Sequence, residues 1–158
     1  MLENIPVEIK ILDSRIKNSI PSYGSEHAAA VDIHACIDQA MQIQRQETKL
    51  INSGFAINIK NPNYVAIIVP RSGLGHKHGL VLGNLVGVID ADYQGEVKIS
   101  IWNRSNESYI INPMDRIAQM MVVPVSRIDW KIVDEFETSK RGEGGFGSTG
   151  IDKTFAHN

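Results

Sequence analysis

The chain has 158 residues, 42% of them hydrophobic and 22% charged, and a formal net charge of -2. That is one domain's worth of globular composition; the missing basic excess argues against a general nucleic-acid binder, and the longest apolar run, Tyr64 to Val69, is far too short to span a membrane. Cys36 is the only cysteine, which excludes an internal disulfide and a cysteine-based zinc site, and with no basic-then-apolar leader a reducing, cytoplasmic compartment is expected.

Thirteen glycines and six prolines cut the chain into short pieces, and most of those pieces read with period two. Val7, Ile9 and Ile11 alternate with Glu8 and Lys10. Phe55, Ile57 and Ile59 alternate with Ala56, Asn58 and Lys60, as half-buried strands do. The continuous apolar run Tyr64 to Val69 suits a central strand. Pro70 to Gly79 is expected to hold one short helix, N-capped by Ser72, with His76, Lys77 and His78 in its last turn and Gly79 as its stop. Between Gly83 and Gly95 two apolar runs meet at an acidic, glycine-closed turn, the pattern of a hairpin. Val97, Ile99 and Ile101 mark the next strand. Met120 to Val125 is another, with Pro124 placing it at a sheet edge or a strand end, and Ile128 to Val133 supplies a last one. Many short strands with turn signals between them predict an all-β sandwich or barrel with one short helix.

Three segments carry candidate chemistry. The start of the short helix points unpaired N–H groups outward beside Arg71, which makes an anion site of the phosphate type or, without a ligand, a capped connecting turn. His76 and His78, alternate residues on that helix, do not converge on a metal. Asp90 directly follows Val88 and Ile89, so it is expected at the edge of the core, held and partly desolvated as a general base should be, with Asp92 nearer the tip. The alternative is a turn whose carboxylates are merely solvated. Arg141 to Gly150 holds five glycines in ten residues, too many to keep a strand or helix by itself. It is either a loose tail or a mobile arm that closes over a nucleotide, with Arg141 and backbone N–H groups for phosphate and the Phe146 ring for a base.

Five segments in chain order then resemble the five motifs of the trimeric dUTPases: Ala28 to Ile33, Pro70 to Gly75, Gly87 to Gly95, Asp115 to Gln119, and Arg141 to Gly150. The resemblance spans roughly Val7 to Gly150. It implies a β jelly-roll homotrimer with active sites shared between subunits, a β domain over residues 1–140, and a flexible arm over 141–158 that closes on the site. It implies hydrolysis of dUTP to dUMP and pyrophosphate with Mg²⁺, which keeps uracil out of DNA and supplies dUMP for thymidylate synthesis. Carried over by position, Asp90 is the base that activates water for attack at the α-phosphorus, and Gln119 positions that water or the phosphates. Arg71, Ser72 and Gly73 bind phosphate oxygens, as do Arg141, Gly147 and Ser148, while Phe146 lies over the uracil. Tyr93 packs on the deoxyribose and leaves no room for a 2′-hydroxyl. Asn84, with backbone groups around Val88, Ile89 and Lys98, reads the uracil edge. Asp32 stands in the outer shell of a metal held mainly by the triphosphate. No nucleic-acid or membrane partner is implied.

Two other readings use a similar scaffold: a dCTP deaminase-like enzyme and a non-catalytic dUTP-binding module. The complete fifth motif with Phe146 favours the hydrolase, and the presence of Asp90 together with the arm argues against the module. The chain departs from the family's pattern at Ala30 and Met114, where glycine is usual. Alanine at position 30 is strained if the backbone there needs positive φ, and unstrained if the glycine only gives clearance.

Overall fold

Short period-two segments can bury one face only by pairing into sheets that share a core. The computed structural model describes residues 4–139 and 142–143. In chain order the elements are β1 (Glu8–Ile11), a 3-10 turn (Ser14–Asn18), β2 (Val31–His34), β3 (Met41–Ile43), β4 (Thr48–Asn58), β5 (Tyr64–Pro70), α1 (Ser72–His78), β6 (Leu80–Leu82), β7 (Gly87–Ile89), β8 (Glu96–Asn103), β9 (Tyr109–Ile111) and β10 (Arg116–Pro124). The chain divides after Arg127 into two units, and all of these elements belong to the first.

Every ladder is antiparallel. One sheet has the order β1-β4-β8-β6, a second β2-β10-β5-β7, and β3 pairs with β9 in a two-stranded ribbon. The sheets are open, so the barrel alternative does not hold for the described residues. One hydrophobic cluster draws on both sheets and the ribbon, from Ile51, Phe55, Val97 and Ile99 through Ile33, Ile68 and Met120 to Ile43 and Ile111. β8 shows the alternation plainly, with Val97, Ile99 and Ile101 buried. β5 lies between β10 and β7, the central position its continuous apolar run predicts, and Pro124 stands at the end of β10.

Three expectations need correction. The helix is N-capped by Arg71, with no side-chain cap hydrogen bond, and Ser72 is its first helical residue. Arg71 continues the extended backbone of β5, so its peptide geometry already suits the cap position, while its side chain turns elsewhere. Gly79 ends the helix in the left-handed region at φ 70, as expected. The Gly83 to Gly95 segment is not a hairpin: β7 pairs with β5, whereas β8 pairs with β4 and β6, so the chain after Ile89 crosses from one sheet to the other. Ile128 to Val133 forms no strand, and Ile128, Trp130 and Ile132 are exposed. An alternating pattern marks a strand face, but a strand also needs a hydrogen-bonding neighbour, and none is assigned to this segment.

Of the two glycine-for-residue departures, Ala30 has ordinary backbone and only Met114 takes a positive φ, of 65. The strain therefore sits before Asp115, where the family's glycine would relieve it.

The β4–β8 ladder slips between Asn52 and Ala56, and Gly54 at the slip has φ 76. A Cβ there would stand 2.6 Å from Cys36 Sγ and 2.8 Å from Ile16 Cγ1. Gly54→Ala combines left-handed strain with overpacking and is expected to cost about 3 kcal/mol, read as a lower urea midpoint.

Candidate active site

β10 runs between β2 and β5, and its register places Gln119 opposite Asp32 on one side and Val69 on the other. Arg71 leaves the end of β5 on the same side of the molecule. Its Nε donates to Asp32 Oδ1 at 2.8 Å, and Arg116 Nη1 donates to Asp32 Oδ2 at 3.1 Å. One half-buried carboxylate thus holds two guanidiniums, each on its own oxygen. Arg71 Nη1 reaches the Arg116 carbonyl at 3.4 Å. The ladder irregularity between Arg116 and Ala118 sits next to this contact.

Asp32, Arg71, Ser72, Gly73 and Gln119 line one cleft of about 280 Å³ together with Ala28 and Ala30. Gln119 Nε2 donates to the Pro70 carbonyl at 2.9 Å, which fixes its amide and leaves its own carbonyl oxygen as an acceptor. The N–H groups of Ser72, Gly73 and Leu74 precede the first helical bond, from Gly75 N to the Arg71 carbonyl. Arg71 and the leading residues of α1, Ser72 and Gly73, therefore line a small polar cleft, and Arg116 is tied to it through Asp32. Such donors have the chemistry to take a phosphate-type anion. Arg116 is the member that reading the residues one by one misses. Its place in the fourth motif marks it, but only the fold brings it to Asp32.

The second group of candidates lies on the sheet-to-sheet crossing and its flanks. None of Asn84, Val88, Ile89, Asp90, Tyr93 and Lys98 lines that cleft. Asp90 is exposed in the single chain rather than partly desolvated, because the crossing carries it off the end of β7 and away from the core. The crossing is nonetheless pinned. Tyr93 N donates to the Asp90 carbonyl at 3.1 Å and Lys60 N to the Ala91 carbonyl at 3.0 Å. Tyr93 Oη donates to the Glu96 carbonyl at 3.1 Å, and its ring folds back over Gly95, where a Cβ would come within 2.6 Å of Cζ. Asn84 and Lys98 are exposed, and Leu85, Val86, Val88 and Tyr93 leave apolar surface uncovered beside Asp90. Arg141, Phe146, Gly147 and Ser148, expected at the phosphates and the uracil, lie outside the described residues. Among the described residues no three His, Cys, Asp or Glu side chains are placed to hold a metal ion, and no helix is long and apolar enough to cross a membrane.

The fold and these two groups of residues define a mostly β protein with a polar cleft lined by Asp32, Arg71 and the start of α1, and a separate loop that presents a carboxylate beside an aromatic ring. The dUTPase family profile matches residues 17–150. A protein of Neisseria meningitidis serogroup C named deoxyuridine 5'-triphosphate nucleotidohydrolase is 56% identical over 147 residues, 93% of this chain and 98% of its own. A mutant dUTPase of Staphylococcus bacteriophage 80alpha, solved with dUpNHpp, superposes with a TM-score of 0.81 at 29% identity, over 92% of this chain and 99% of its own. A mutant dUTPase of the S. aureus phage phi11, described as revealing the coordination of a structural Mg(II) ion, gives a TM-score of 0.74 at 25% identity, over 84% of this chain and 99% of its own. The chain belongs to the dUTPase family.

His34 sits across the ladder from Arg116, and its Nδ1 is buried without a hydrogen-bond partner. Burial holds its pKa below the ordinary value; the Asp32 charge opposes this, and Arg116 and Arg71 add to it. The unfolded chain takes up the His34 proton near pH 6.5 while the folded chain still resists it, so stability falls as pH drops below about 6.5. His34→Gln should shrink the loss of urea midpoint between pH 7.5 and pH 5.5.

Proposed function

We propose that this chain is an enzyme that hydrolyses dUTP to dUMP and pyrophosphate, in sites completed between the subunits of a homotrimer. The observation that carries the reading is the Asp32 carboxylate, which holds Arg71 and Arg116 and lines one cleft with Arg71, Ser72, Gly73 and Gln119. The family and the named relatives support the substrate. Asp90 takes a proton from water as its oxygen attacks the α-phosphorus. The bond from that phosphorus to the oxygen bridging toward the β-phosphate breaks, and pyrophosphate leaves with the electron pair. Gln119, fixed by the Pro70 carbonyl, offers its oxygen to the attacking water or its amide environment to the phosphates. Arg71 and the leading N–H groups of α1 neutralise the phosphate oxygens, which in phosphoryl transfer is most of what the protein has to do.

Tyr93 packs on the deoxyribose, and Asn84 with the backbone near Val88, Ile89 and Lys98 reads the uracil edge. Cytosine offers an amino donor where uracil offers a carbonyl acceptor, so a pocket built for the acceptor leaves polar groups unpaired with cytosine. The arm over residues 141–158 brings Arg141, Gly147 and Ser148 to the outer phosphates and Phe146 over the base.

Two observations support a shared site. Among the described residues, Asp90 and Tyr93 are not part of the lining of the Asp32–Arg71 cleft. Uncovered apolar side chains lie both beside Asp90 and along Ile128, Trp130 and Ile132, as they would on surfaces that meet other subunits. A jelly-roll trimer fits the two open sheets and their single core.

The donor set fits Mg²⁺ held chiefly by the substrate. Asp32 already serves two guanidiniums, so it would act only as an outer contact to an ion that the substrate's triphosphate would hold. Bound there, the ion neutralises charge on the phosphate chain.

Asp90→Asn keeps the side chain's shape but makes it a far poorer base, so turnover should fall by about 10²–10⁴-fold while dUTP affinity stays within about tenfold. Equal losses of rate and affinity would make Asp90 a binding residue. Pyrophosphate release measured with dUTP, dCTP, dTTP and UTP should be large only for dUTP, and ammonia from dCTP would point to a deaminase.

The shared site has its own test. Asp90→Asn protein and protein lacking residues 141–158 are unfolded, mixed in equal amounts and refolded. With base and arm on different subunits, about a quarter of wild-type activity returns. A mixture that stays inactive places both in one subunit.

A further inference from the structure

The register of β4 against β8 holds a feature that the reaction does not use. Asn52 pairs with Lys98 and Ala56 with Glu96, so Ser53, Gly54 and Phe55 stand opposite Val97 alone. Such a bulge takes backbone groups off the ladder. The Gly54 N–H finds its acceptor in the Glu96 side chain, at 2.9 Å from Oε1. On its other side the Gly54 carbonyl accepts from Leu12 N and Asp13 N at 2.9 and 3.0 Å. With Cys36 and Ile16 filling the space a side chain would need, the bulge is a fixed point. Glu96 is therefore tethered to the body of the protein by its carboxylate. Its main-chain carbonyl is the acceptor for Tyr93 Oη.

We propose that Glu96 is a positioning residue for sugar discrimination: its carboxylate anchors the start of β8 to the β4 bulge, and its carbonyl then holds the Tyr93 ring against the place where a 2′-hydroxyl would lie. The inference rests on the reading of Tyr93 as the residue that packs on deoxyribose. The ring has few other restraints. It is 44% exposed, it is bounded by Gly95, and among the described residues its one side-chain hydrogen bond is the one to Glu96. Because the anchor is an oxygen accepting an N–H, the negative charge is dispensable and the reach is not. Glutamine places an oxygen at the same distance, whereas aspartate keeps the charge but is one methylene too short. A role for Glu96 through its charge alone predicts the opposite order.

The experiment measures kcat and KM for dUTP and UTP in wild-type protein and in Glu96→Gln, Glu96→Asp, Glu96→Ala, Tyr93→Phe and Tyr93→Ala variants, with the Glu96→Ala/Tyr93→Phe double variant. Tyr93→Ala should lower the dUTP-over-UTP ratio of kcat/KM the most. Tyr93→Phe and Glu96→Ala each break the same link and should lower it by up to about tenfold, the worth of one hydrogen bond, and in Glu96→Ala kcat for dUTP should stay within about threefold of wild type. Glu96→Asp should follow Glu96→Ala, Glu96→Gln should retain discrimination, and the double variant should be no worse than the larger single one. A purely structural role lowers the melting temperature and leaves the ratio alone. Discrimination unchanged in Glu96→Ala but lost in Tyr93→Ala overturns the positioning role and leaves the Tyr93 reading standing. Discrimination unchanged in Tyr93→Ala overturns both. Additive losses in the double variant also overturn it, since the two residues would then act apart. If Glu96→Ala fails to fold, the order of the Glu96→Gln and Glu96→Asp variants decides.

Discussion

The site is organised around one carboxylate. Arg116 comes from β10 and Arg71 from the cap between β5 and α1, and two guanidiniums brought side by side repel unless an anion lies between them. Asp32 supplies it, and each of its oxygens takes one arginine. The carboxylate side chain is 21% exposed, so the pair interactions are screened less than surface ones, and removing it would leave two cations facing each other. Both arginines keep N–H donors that Asp32 does not use. Pre-arranged donors of this kind need no reorganisation when charge develops, and this is how such a cleft can favour a transition state.

Sheet register explains why the carboxylate is in the right place. Asp32 on β2 stands opposite Gln119 on β10, and β10 in turn pairs with β5, whose end delivers Arg71 and the start of α1. A slip of one residue in either ladder would turn Asp32 or Gln119 to the opposite face. The buried faces of these strands, through Ile33, Ile68, Ala118 and Met120, hold that register. Core packing and site geometry are therefore one constraint, expressed on the two faces of one sheet.

The Asp90 loop answers to a different constraint. It leaves β7 in one sheet and enters β8 in the other, so no ladder holds it along its length. Its order comes from the Tyr93 to Asp90, Lys60 to Ala91 and Tyr93 to Glu96 hydrogen bonds. A loop held at a few points can present Asp90 to a partner surface and still keep a ring in position beside it. The ring of Tyr93 on it, with Leu85, Val86 and Val88 on its approach, leaves apolar surface uncovered in the single chain.

Much of this was legible in the chain itself. Alternation at Phe55, Ile57 and Ile59 and at Val97, Ile99 and Ile101 reports which face of a strand is buried, because side chains on a strand point alternately to its two faces. The run Tyr64 to Val69 marks an interior strand, Gly79 ends the helix, and five motifs in order identify the family. What alternation cannot report is the neighbour. Ile128 to Val133 has the pattern of a strand and forms none, and Gly83 to Gly95 has the pattern of a hairpin and instead joins two sheets. Arg116 carries no local sign that it will share Asp32 with Arg71. Glu96 carries none that its carboxylate will fill a gap opened by Gly54, forty-two residues earlier. Period and motif are properties of neighbours along the chain, so the sequence determines them alone; pairing, exposure and the meeting of charges depend on contacts between distant segments, and only the folded arrangement decides those.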